Sequence, residues 1–123
     1  MRPTERDRGA AAVEMALVLP VLVTILLGII DFGRAFNAQQ VLTFAAREGV
    51  RAMALENSQA TAREASREAA STLGTLPDSS MAISPAACTP GTRVSVTVSY
   101  TLPSTGFFGQ FPLQGKGVML CGG

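Results

Sequence analysis

The chain of 123 residues contains no histidine, no tryptophan and only two cysteines. Without histidine there is no imidazole base, so a His-based catalytic dyad is excluded. Two cysteines alone are too few to build a transition-metal site. They also stand far apart, at Cys88 and Cys121, so the Cys-x-x-Cys spacing of redox catalysis is missing. The net charge is +1, with acidic and basic residues interleaved and no Lys/Arg-rich block. A nucleic-acid partner therefore has no electrostatic footprint. No phosphate loop and no nucleophile–base pair occurs in residues 31–123. An enzyme, a cofactor and a small-molecule substrate are accordingly not expected.

What the chain does have is one long apolar run. Between Glu14 and Asp31 lie sixteen consecutive residues without a charge, rich in Leu, Ile, Val and Ala. A helix from Ala10 to Ile30 would be about 31 Å long at about 1.5 Å per residue. That matches a hydrocarbon core of about 30 Å, so the segment predicts a transmembrane helix. A buried core helix is the alternative, but little else in the chain could enclose so uniformly apolar a cylinder. Residues 1–9 are short, polar and charged, and read as a disordered leader. Arg2, Arg6 and Arg8 precede the run, whereas Asp31 and Arg34 nearly balance after it. The positive-inside bias then predicts a cytoplasmic N-terminus and an extracytoplasmic domain over residues 31–123, in the cytoplasmic (inner) membrane. A cleaved secretory signal would have a shorter apolar region and a small-x-small exit. This run instead ends Ile29-Ile30-Asp31-Phe32.

Two residues interrupt the uniformity of the span. Glu14 places a carboxylate near its edge, where it either snorkels to water or meets a partner. Were the chain cut after Gly9, Ala10 would supply a new amine, and Glu14 would be the fifth residue. A neighbouring subunit's amine could then neutralise Glu14 inside an apolar bundle and fix its register. Pro20 removes one helical hydrogen bond and crowds the preceding turn. It predicts a bend near residues 16–20, which either helps the helix pack into a filament or is a harmless kink.

Gly9 with Glu14 at the fifth position after it, ahead of a long apolar helix, resembles the processing signature of type IV pilins. More narrowly, Gly9-Ala-Ala-Ala-Val-Glu-Met-Ala-Leu-Val-Leu-Pro20, Gly28-Ile-Ile-Asp-Phe-Gly-Arg34 and Ala45-Ala46-Arg47-Glu48-Gly49-Val50-Arg51-Ala52 are similar to the TadE-like family. Those proteins are minor pilins or pseudopilins of the tight-adherence (Tad/Flp) pilus. The resemblance covers residues 9–54. Met15 departs from the commonest pattern, in which an aromatic residue follows the glutamate. The resemblance implies cleavage between Gly9 and Ala10 by a prepilin peptidase. It also implies an assembly contact at Glu14 and partnership with other pilins. The expected work is assembly or priming of a Tad-type pilus. An unprocessed, membrane-anchored scaffold or adhesion protein is the alternative.

Beyond the span, Phe32, Ala35, Phe36, Leu42, Ala45, Ala46, Gly49, Val50 and Met53 recur at helical spacing and predict a packed stripe over about 31–56. Arg47, Glu48 and Arg51 form a solvated face, and Asp31 can pair with Arg34 across one turn. Asn57 or Ser58 caps a second helix, about 59–73, closed by Gly74. A single helix over 31–73 with a local irregularity is the other option. The alphabet then turns to Ser, Thr, Pro, Gly and Val. A short strand is expected at about 80–84. The strongest strand runs from Arg93 to Leu102, with Val94, Val96, Val98, Tyr100 and Leu102 on one face. A returning strand follows at about 113–121.

In such a hairpin Cys88 and Cys121 lie side by side, which predicts a disulfide. A domain this small has a thin core and needs that staple. Free buried thiols are the alternative. The loop between the last two strands carries Phe107, Phe108 and Phe111, which either fold over the sheet edge or form a partner-binding patch. The fold class expected is α+β. One long N-terminal helix carries a small head of one further helix and a three-stranded antiparallel sheet.

Overall fold

A computed structural model describes residues 5–104 and 109–122. Helix α1 (Glu5–Glu56) runs for 52 residues without interruption. Its first 22 residues, from Glu5 to Leu26, are all exposed, and burial sets in only near Leu27. The leader, expected to be disordered, is helical from Glu5 onward. Glu5 and Asp7 lie in the first turn, where negative charge favours the positive end of the helix dipole. The strongly helical run behind then propagates through Gly9.

The two-helix option holds. α1 stops at Asn57, which adopts a left-handed φ of 49° and whose N–H donates to the Met53 carbonyl at 2.9 Å. That is the αL type of helix end. Ser58 then caps α2 (Gln59–Ala69), its hydroxyl accepting from the Thr61 N–H at 3.3 Å. So short a turn forces α2 to run back antiparallel along α1. α2 is shorter than expected. After Ala70 a tighter 3-10 turn covers Ser71–Leu73, and Gly74 at φ 95° follows. Arg67 explains the change of path. Its side chain donates to the Leu76 carbonyl at 3.0 Å and pairs with Asp78, pinning the segment that leaves the helix.

Three strands complete the head: β1 (Met81–Ser84), β2 (Arg93–Pro103) and β3 (Gln110–Leu120), antiparallel in the order β1-β2-β3. The expected alternation of β2 holds: Val94, Val96 and Val98 are fully buried and Leu102 nearly so. The three valines pack on Leu42, Ala45, Ala46, Val50, Met53 and Ala62 of the two helices. β3 begins three residues earlier than expected and includes Pro112, opposite Thr101. Pro112 is tolerated because β3 is an edge strand, where one side of the ladder needs no donor.

Small residues set how close the layers come. A Cβ on Gly115 would overlap the Leu42 backbone, and one on Gly117 would lie 2.7 Å from the Ala46 carbonyl oxygen. Leu42 and Ala46 are one helical turn apart, about 6 Å. Gly115 and Gly117 are two strand residues apart, about 6.8 Å. The two repeats nearly coincide, so bare strand backbone lies against helix backbone with β3 and α1 running in the same direction. On the other side Gly49 faces Ala62 and Ser66, and the buried Ser66 hydroxyl donates to the Ala45 carbonyl at 3.0 Å.

The apolar stripe expected on α1 divides in two. Ala38, Leu42, Ala45, Ala46, Gly49, Val50 and Met53 are buried, but Phe32 and Phe36 are 77% and 66% exposed. Those two rings lie one turn apart on a face that the head leaves uncovered.

Candidate functional site: the apolar arm of helix α1

The most apolar window of α1 has a mean hydropathy of 2.6, and none of it is buried. Val13, Leu17, Val21, Leu22, Ile25, Leu26 and Ile29 are each more than half exposed. A core helix would have its apolar stripe covered by the rest of the chain. Here the whole circumference is open, so the arm is suited to lipid or to other helices and not to this chain's own core. By length and composition it can cross a membrane.

Gly9, Ala10 and Glu14 all lie on this arm, exposed and within one continuous helix. Nothing approaches within 4 Å of the position a Gly9 side chain would take. The Glu14 carboxylate has no hydrogen bond or ion pair to any described residue. It stands four residues, or about 6 Å, inside Ala10. At that depth a lone carboxylate in lipid is costly, by about 2.5–3.5 kcal/mol at the centre and less near the edge.

Pro20 is accommodated without a break in the helix. It cannot donate to the Ala16 carbonyl, and the Thr24 hydroxyl donates to the Pro20 carbonyl at 2.7 Å. Hydroxyl back-bonding of this kind accompanies local adjustment of a membrane helix around proline.

At the far end of the head, Cys88 and Cys121 form a disulfide, with their Cα atoms 5.6 Å apart. The bridge region is tied to the helical turn as well. The Asn57 side-chain oxygen accepts from the Cys88 N–H at 2.6 Å, and Gln59 donates to the Ala86 carbonyl at 2.9 Å. The aromatic patch is only partly visible: Phe111 is half-buried on β3, opposite Leu102, whereas Phe107 and Phe108 lie outside the described residues.

Sequence reasoning missed one feature near the end of the span. Asp31, expected only to pair with Arg34 across one turn, is 1% exposed. It lies 3.8 Å from Arg34, whose guanidinium also donates to the Pro103 carbonyl at 3.5 Å. The signal that could have revealed it is spacing. Asp31, Ala35, Ala38 and Leu42 fall on one helical face, which the head covers.

The family model described as TadE-like protein matches residues 9–51. The match begins at Gly9 and runs through the apolar arm to the part of α1 that carries the sheet. It supports the resemblance drawn from the Gly9–Glu14 pattern. No curated protein and no solved structure matches the chain.

Proposed function

We propose that this chain, TadE-like over residues 9–51, is a minor pilin or pseudopilin that takes part in assembling or priming a Tad-type pilus. The observation that carries the proposal is the arm of α1: a fully exposed apolar helix with one carboxylate that no described residue partners. In this reading a prepilin peptidase cuts between Gly9 and Ala10 and exposes an amine at the new N-terminus. The amine of one subunit then meets Glu14 of its neighbour among apolar side chains. Each charge offsets the desolvation of the other, and the pair fixes a register that apolar contacts alone would leave free. The N-terminus faces the cytoplasm and the head lies outside, following the arginines of the leader. The work is structural and not catalytic, and the partners are the peptidase, other pilins and lipid.

The helical continuity from Glu5 through Gly9 favours a second reading, an anchored scaffold or adhesion protein that keeps its leader. Substitution at Glu14 separates the two. In a filament subunit, Glu14→Ala leaves membrane insertion intact and abolishes co-purification with other pilins, whereas Glu14→Asp retains part of it. Unchanged co-purification of Glu14→Ala would remove the pairing role.

A further inference from the structure

The burial pattern of α1 does not stop where its apolar run stops. Asp31 is covered, and Leu27, one turn further into the span, is half-buried together with Gly28, although every residue from Glu5 to Leu26 is exposed. Burial of α1 therefore begins within the last turn of the segment read as membrane-spanning. The strand geometry brings one end of the head to about the same level. β3 and α1 run in the same direction, with Gly117 at Ala46 and Gly115 at Leu42. The Gln39 side chain donates to the Gln114 carbonyl at 2.6 Å. Followed toward its start, β3 descends to Gln110, which pairs with Pro103, and the Pro103 carbonyl accepts from Arg34. That end of the hairpin is level with the helix turn just past Ile30.

We infer that this end of the head, formed by Pro103, Gln110 and Phe111 beside Asp31 and Arg34, rests in the phospholipid headgroup layer. It gives the chain a lipid contact separate from the span itself. The inference rests on the reading that residues 10–30 cross the bilayer. The side chains suit that position. Asp31 is shielded from hydrocarbon and lies near Arg34, while the Arg34 side chain is 44% exposed and can reach lipid phosphate. Phe32 and Phe36 present exposed rings at the same level. An aromatic ring at that depth contributes apolar area to the interface without burying a polar group. The head is then seated on the membrane through the sheet as well as through α1, which restricts its tilt about the point where the helix emerges.

The chain has no tryptophan, so single tryptophans report their own depth. The full chain is reconstituted in phosphatidylcholine vesicles brominated near the headgroup end of the acyl chains. Gln110→Trp, at an exposed position, loses emission to the same degree as Phe32→Trp. Val118→Trp lies on the same strand about 27 Å farther from the membrane end and keeps its emission. Retention of the Cys88–Cys121 bridge, read as faster migration without reductant, verifies that each variant has folded. The inference is overturned if Gln110→Trp is as bright as Val118→Trp while Phe32→Trp is quenched. Failure of the membrane reading is distinct: Leu22→Trp, at mid-span, would then escape bromines placed at any depth.

Discussion

Replacing Gly115 by alanine tests the packing that holds the sheet to the helix. The new methyl group would occupy the space of the Leu42 carbonyl group. The neighbouring contact gives a scale, because a Cβ at Gly117 would sit 2.7 Å from the Ala46 oxygen and 2.9 Å from its carbon. Ordinary contact begins near 3.4 Å, so even there the strand must lift by several tenths of an ångström. At Gly115 the required shift is larger. The obstacle is hydrogen-bonded helix backbone and cannot rotate aside as a side chain would. Overpacking of a well-filled core costs about 1–3 kcal/mol, occasionally more, and this site belongs at the upper end. At about 4–8 °C per kcal/mol for a domain of this size, a cost of about 2–3 kcal/mol means that Gly115→Ala lowers Tm by about 8–24 °C. Gly33→Ala supplies a control of opposite sign, since nothing lies within 4 Å of that position. It removes a helix-interior glycine, which stabilises by about 0.5–1 kcal/mol. The assay is thermal unfolding of the detergent-solubilised full chain, followed by circular dichroism with the disulfide intact. Equal Tm values for the two variants would refute the close approach of β3 to α1.

Changing both cysteines to serine removes a bridge between residues 33 apart in sequence and lowers stability by about 3–4 kcal/mol, read from denaturant midpoints. A loss below 1 kcal/mol would mean that the bridge adds little to the packed head. Ser58→Ala removes the α2 cap and costs about 1 kcal/mol, with faster amide exchange confined to the first turn of α2. Asn57→Gly keeps the left-handed backbone that Asn57→Val strains, so the valine variant is the less stable of the pair.

The parts of this fold legible in the sequence are those that repeat. Sixteen uncharged residues mark the arm, and strict alternation over Arg93–Leu102 marks the central strand; both are determined by local periodicity. The Cys88–Cys121 bridge followed because an antiparallel hairpin brings its outer ends together. What remained hidden depends on contacts between distant segments. The segment Gly115-Lys116-Gly117 lacks the side chains that announce a buried face, yet it brings strand backbone against helix backbone. Phe32 and Phe36 satisfy the helical spacing of the core stripe but project from an exposed face of α1. Asp31 looks like a surface residue until the sheet is laid over it. Of the site residues, Gly9 and Glu14 were legible because their spacing lies within one helix. The use proposed for them was not, because it would depend on molecules outside the chain.

In the proposed filament Glu14 has its counterpart in an amine created at Ala10, so the identity of the mature N-terminal residue is the decisive measurement. Membrane protein from cells that express the chain with an active prepilin peptidase is digested and its N-terminal peptide identified by mass spectrometry. The filament reading predicts Ala10 as the first residue, and a chain still carrying residues 1–9 when the peptidase is absent. Full-length chains beginning at Met1 in both preparations would contradict it.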